Sequence, residues 1–272
     1  MQAILDSSEF AYLLQMVGAT RVVGVDNSLL FPGDDQANVL LLQQGLEALQ
    51  AHGWLVPDGK GFRTHTGVVV LTAVVANPEL VVFLTLATPD GSKQFATYYM
   101  GQDIVVEQLF TTEQQYVLTR LENFHAVVQR LGQALAITDV PPPSATPVSL
   151  PRGAFEEGFR QGGNGRLAAL KKMLHDADDG LQTIDDIPHL ASLLQGLRPV
   201  GSVEIGHLAG GRLTSRRDLM FFRDGENNCW AMTRNVETDH LVFHPLTLAD
   251  FATLFIETAM NKNAAVPVAE TV

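Results

Sequence analysis

Four arginines, Arg212, Arg216, Arg217 and Arg223, fall within a short stretch of a 272-residue chain whose formal net charge is −12. Guanidinium groups present a fork of donors that fits carboxylates and phosphates, so a local basic cluster on an acidic protein points to an anionic counterpart. Gly210 and Gly211 precede the cluster as a turn, and Phe221 and Phe222 follow it. This pattern predicts a basic, aromatic hairpin, with Arg212, Arg216, Arg217, Phe221 and Phe222 as the candidate partner-binding residues. The plainer role for Arg216 and Arg217 is to keep a sheet edge soluble.

Other residues tempt toward catalysis or cofactor binding, and their spacing argues against it. The run from Gly163 to Ala168 fits G-x-G-x-x-A, with Asp185 and Asp186 downstream, but the charged segment RGAFEEGFRQ stands where the motif needs a strand. His175 to Gly180 is acidic, yet a calcium loop counted from Asp176 meets Leu181 and Ile187 where Gly and Glu belong. His240 and His244 share one strand face but lie roughly 13 Å apart at ~3.3 Å per residue, too far for one metal. His207 would join them only across strands. Cys229, beside Trp230, reads as a packed core thiol, and no G-x-S-x-G elbow is present. No catalytic residue, cofactor or metal site is expected.

The charge balance disfavours nucleic acid and anionic membrane surfaces. Gln36 to Gly67 has a helix-then-wing pattern, but its cations and anions cancel and the helix carries no Lys or Arg. The densest apolar run, Gly67 to Ala76, is about half the ~20 residues a membrane span needs. MQAILDSSEF lacks basic residues ahead of its apolar positions, unlike a secretory signal. A single cysteine fits a reducing compartment, so the expected location is cytoplasmic.

The elements that must position these residues read as α+β, with 46% hydrophobic residues ample for a large core. Helices are expected over Ser7 to Val17 and Asp35 to His52, the latter with a stripe of Leu40, Leu41, Leu42, Leu46 and Leu49 and Gly53 as its stop. Gly67 to Ala76 reads as a buried helix ended by Asn77-Pro78. Strands over Leu80 to Thr88 and Ser92 to Met100 flank a Pro89-Asp90-Gly91 turn, and Asp103 to Phe110 adds a third. Thr111 and Gln114 then form a capping box opening a helix to about Ala136.

Beyond a Pro-rich connector the order repeats. Helices over Arg166 to His175 and Ile187 to Leu197 precede strands over Ser202 to Leu208, Asp218 to Arg223, Asn228 to Arg234 and His240 to His244. Thr247 and Asp250 cap a helix to about Met260. The expectation is two pseudo-repeated halves, 1–137 and 153–263, joined by a linker at 138–152 and followed by a flexible tail at 264–272. Each half is helices, an antiparallel meander, then a capped helix.

This ordering resembles the EspG family of type VII (ESX) secretion-associated chaperones. The resembling segments are FAYLLQMVG, LLLQQGLEALQAHGWL and ANPEL in the first half, and VEIGH, GGRLTSRRDLMFFRDGENNCWAM and HLVFHPLTLADFATLF in the second. They span most of residues 5 to 260. The resemblance implies a pseudo-two-fold fold around a central antiparallel sheet and a cytosolic, non-enzymatic chaperone for a helical PE–PPE secretion substrate. Two alternatives stand beside it: a small-molecule or metal-dependent enzyme using His207, His240 and His244 between the halves, and a winged-helix regulator, which the charge disfavours.

Overall fold

The computed structural model describes residues 1–59, 61–88, 90–140, 147–153, 155–156, 196–235 and 237–260. The helix expected over 166–175, nearly all of that over 187–197, the Gly163 to Ala168 motif, the acidic run from His175, residues 141–146 of the connector and the tail lie outside them. Ten strands form one sheet. From the first half come β1 (Gln2–Leu5), β4 (Leu80–Ala87), β5 (Lys93–Gly101), β6 (Ile104–Phe110) and β7 (Tyr116–Leu121). The second half adds β9 (Arg198–Ala209), β10 (Arg212–Arg223), β11 (Cys229–Asn235) and β12 (His240–Pro245), and the end of the expected linker at 138–152 is corrected to a strand, β8 (Val148–Pro151), which pairs with β12.

The spatial order is β1-β7-β6-β5-β4-β9-β10-β11-β12-β8. In each half the meander runs outward from the centre, and an earlier strand closes the outer edge beside its last member. The halves meet where β4 and β9 pair antiparallel, from Leu80 opposite His207 to Leu86 opposite Gly201. A separate small hairpin joins β2 (Leu55–Asp58) to β3 (Gly61–Thr64).

Alternation along the strands gives two apolar faces, and each draws its own cover. One face presents Val82, Tyr98, Val203, Ile205, Leu219 and Phe221 to α5 (Phe124–Ala134) and α6 (Leu248–Met260). Phe124 stacks on Phe255 at 5.3 Å, and Phe221 meets Phe251 edge-on at 5.8 Å. The opposite face of the first half, with Val81, Tyr99, Val106 and Leu118, lies under α1 (Ser7–Met16), α3 (Asp35–Ala51) and α4 (Thr66–Ala76). One further turn of helix, α2 (Asn27–Leu30), sits in the loop before α3. Core burial overrides the weak helix propensity of the valines in α4, and Pro78 prevents its extension.

Local chemistry fixes where these helices begin and meet. Asp6 and Glu9 make a reciprocal capping box at the start of α1. The buried Glu9 also faces His52 Nδ1 at 2.6 Å, tying the start of α1 to the end of α3. In the expected leucine stripe of α3, Leu49 is fully buried whereas Leu40 is 56% exposed. The contact with α1 falls instead at Gly45, where an added Cβ would collide with the Ser8 carbonyl. Gly53 stops the helix at φ +72°.

The expected helix from Thr111 to Ala136 is corrected. Thr111 and Gln114 form a tight turn, with Gln114 N–H donating to Thr111 O at 3.0 Å and Gln114 at φ +60°. Tyr116 and Leu118 then alternate inward as β7. Asn123 caps α5, its Oδ1 accepting from Ala126 N–H at 3.1 Å. A threonine followed by glutamine satisfies either a helix start or a turn, and the period of two that follows decides for the turn. The edge strand β1 was not anticipated; Ala3 and Leu5 point inward while Ile4 is exposed.

Asp224 organises the β10–β11 turn. Its carboxylate accepts from the backbone N–H of Glu226 and Asn228 at 2.9 Å, from Asn228 Nδ2 at 3.0 Å and from Trp230 Nε1 at 3.0 Å. Burial pushes its pKa up, but these bonds together outweigh burial and hold it below the ordinary carboxylate value. The stability it confers is therefore present above the unfolded pKa and lost as pH falls through the folded one. Asp224→Ala, which strands the buried Trp230 N–H, should cost about 2–3 kcal/mol at neutral pH, read by chemical denaturation. The deficit relative to wild type should shrink in acid. Gly45→Ala should cost about 1–3 kcal/mol by pushing α1 and α3 apart, despite the better helix propensity of alanine.

Candidate partner-binding surface

One face of the sheet at the central seam carries two adjacent rows of side chains, in which Phe95, Met220 and Asp218 are exposed while Gln108 and Thr97 are buried. Directly opposed residues in a ladder project to the same side, so the strand registers define each row. The first runs Phe95, Thr85, Ser202, Met220 and Met232 across β5, β4, β9, β10 and β11. The second runs Gln108, Thr97, Phe83, Glu204 and Asp218 across β6 to β10. Phe95 is 62% exposed and Met220 40%, and Phe110, opposite Tyr116 on the same face, is 49% exposed. Phe95 and Met220 stand three strand spacings apart, roughly 14 Å at ~4.8 Å per strand, and exposed apolar side chains of this size on a sheet face mark a candidate interaction surface.

A polar cluster borders them. Arg216 reaches Glu204 at 2.7 Å and Asp218 at 3.3 Å. Partial burial pushes the Glu204 pKa up, Arg216 opposes that, and Asp218 adds to it. A guanidinium held between two half-exposed carboxylates can exchange one of them for a partner's group at little cost.

The arginine hairpin is thus divided. Arg212 stands exposed at its tip and Arg216 lies on the open face. Arg217 pairs with Ile205 and so points to the opposite side, where its Nε and Nη2 are buried with no hydrogen-bond partner among the described residues. Phe221 and Phe222, expected to face a partner, are corrected to core positions, 0% and 3% exposed. Phe221 packs under α6, and Phe222 lies 6.1 Å from Phe243 and 6.4 Å from Phe155. Arg223 donates to the carbonyls of Leu135 and Ala136, binding the end of β10 to the C-terminal end of α5. Nor do Arg216 and Arg217 guard an outer edge, since β10 lies inside the sheet order.

The catalytic alternatives are not assembled. His207 pairs with Leu80 and Ser215, whereas His240 and His244 lie on β12, with β10 and β11 between. His244 sits 3.1 Å from the Thr233 hydroxyl, and burial lowers its pKa. Burial pushes the Cys229 thiol up to about 11, which removes nucleophilic thiolate at neutral pH. Among the described residues no group of three His, Cys, Asp or Glu side chains could hold a metal ion. No helix among them is long and apolar enough to cross a membrane. The helix-then-wing pattern does form, as α3 and the β2–β3 hairpin, without a basic residue on the helix.

No family model matches the sequence, and no curated protein matches it. One solved structure with the same fold is the Mycobacterium tuberculosis type VII secretion system chaperone EspG5 in complex with the PE25–PPE41 dimer. It is 14% identical, covers 99% of this chain and 98% of that one, and superposes with a TM-score of 0.64. The fold is EspG-like. That extent of coverage means the likeness takes in the whole sheet and both sets of covering helices.

No described residue pairs with the buried Nε and Nη2 of Arg217, and an unpaired buried charge is costly to a fold. Arg217→Met should leave the melting temperature unchanged or raise it by a few degrees. A fall would show that the guanidinium contributes to the fold.

Proposed function

We propose that this chain is a non-enzymatic, cytosolic EspG-like chaperone that holds a helical partner protein on the open seam of its sheet. The observation that carries the reading is the row of Phe95 and Met220, with Phe110 nearby, exposed beside the Arg216–Glu204–Asp218 cluster. An amphipathic helix would seat its apolar stripe on the row and offer an acidic side chain to Arg216. The solved EspG5 complex supports a protein partner for this fold, a PE–PPE-type dimer being the model. The two-half reading, 1–137 and 153–263, fits a seam lying between halves of like strand order. Of the residues expected to bind, Arg216 is retained, and Phe95, Phe110 and Met220 take the place of Phe221 and Phe222.

The test is affinity capture of the tagged protein's partner from lysate of its source organism, followed by titration of the purified pair. Phe95→Asp with Met220→Asp should weaken the complex about thirtyfold or more, in line with the loss of central apolar anchors. Arg216→Glu should weaken it several-fold, with melting temperatures within a few degrees of wild type throughout. A complex indifferent to all three substitutions would remove the seam from the function.

A further inference from the structure

We propose that a cleft at the tip of the β9–β10 hairpin binds a small anionic molecule, one carrying phosphate groups or several carboxylates. It uses none of the seam residues, so it goes beyond the partner reading and stands or falls separately. The cleft encloses about 520 Å3, within the size range of small-molecule sites. Three segments converge on it: the loop leaving α1, the Ala76–Pro78 turn leaving α4, and the hairpin turn from Leu208 to Arg212.

Its charge is one-sided. Arg21 and Arg212 both line the cleft, and among the described residues no aspartate or glutamate does. Among the described residues neither arginine has an ion-pair partner, in contrast to Arg152, Arg216 and Arg234, each engaged by carboxylates. Thr20 and Asn77 add neutral donors to the wall. Gly210 and Gly211, at φ +58° and +73°, form the turn, and no atom stands within 4 Å of where their Cβ atoms would be. The backbone there is open to close approach by a ligand.

Two helix ends oppose this charge, and the magnitudes decide between them. The C-termini of α1 and α4 both reach the cleft, each worth roughly half a negative charge. Two full guanidinium charges exceed that sum. The last carbonyls of α1 are further occupied, Leu13, Leu14 and Gln15 accepting from Val17, Ala19 and Gly18. The balance is positive on a chain whose overall charge is −12, so the cleft is a local exception to the repulsion of anions. Paired guanidinium forks select phosphate or carboxylate oxygens over halide-like point charges.

Calorimetric titration of the full chain with inorganic pyrophosphate, and separately with citrate, reads the two chemistries. Saturable binding of either, weakened about tenfold or more by Arg21→Glu with Arg212→Glu, supports the site, and the stronger ligand assigns phosphate or carboxylate. Arg120→Glu with Arg198→Glu makes the same change in net charge outside the cleft and should bind as wild type does. If the reversed pair does not fold, Arg21→Gln with Arg212→Gln should show the same loss. No saturable binding of either ligand, or an equal loss in the control pair, overturns the proposal. Partner capture by the cleft variants should be unchanged, which keeps the two readings distinguishable.

Discussion

Everything in this fold depends on the antiparallel pairing of β4 with β9. Without it each half is a five-stranded sheet with a long apolar strand at its edge, and neither α5 nor α6 has a complete floor. With it, Val82 and Leu84 from one half and Val203 and Ile205 from the other form one surface, and the two helices cover it together. The same pairing joins the rows on the reverse side, because it sets Thr85 opposite Ser202 and so links the Phe95 end to the Met220 end. Core and exposed surface are two sides of one ladder. Arg223 reinforces the join by fastening the end of β10 to the carbonyls that close α5.

Much of the fold was legible in the sequence where a local signal had one meaning. Gly53, Asn77-Pro78, the Thr247–Asp250 cap and the Asp224-Gly225 turn each ended or began an element as read. The valines of α4 were read as helix because strand residues do not run that long before a proline stop. Thr111 to Gln114 failed because a capping signature is also a turn signature, and the deciding alternation of Tyr116 and Leu118 lay beyond it. The N-terminal strand was illegible for a different reason. Four residues carry too short a pattern, and β1 is a strand only because β7 offers it a partner.

The candidate surface was less readable than the fold. The arginine cluster drew attention correctly to β10, but composition gives no face. A strand alternates, so adjacent Arg216 and Arg217 had to point to opposite sides, and Phe221 and Phe222 follow the same rule, each buried against its own face. Phe95 carried no signal at all. Its exposure follows from the absence, among the described residues, of a covering helix above that end of β5, which is a property of tertiary arrangement.

The seam also has a consequence for biosynthesis. β4, with the sequence LVVFLTLA, emerges from the ribosome over a hundred residues before β9. At about 5–20 residues per second, its bare edge waits roughly 5–20 s for its partner strand. An uncharged, flat, apolar edge of that kind is a template for pairing with other chains. The nascent chain carries that liability for as long as it takes to make its second half.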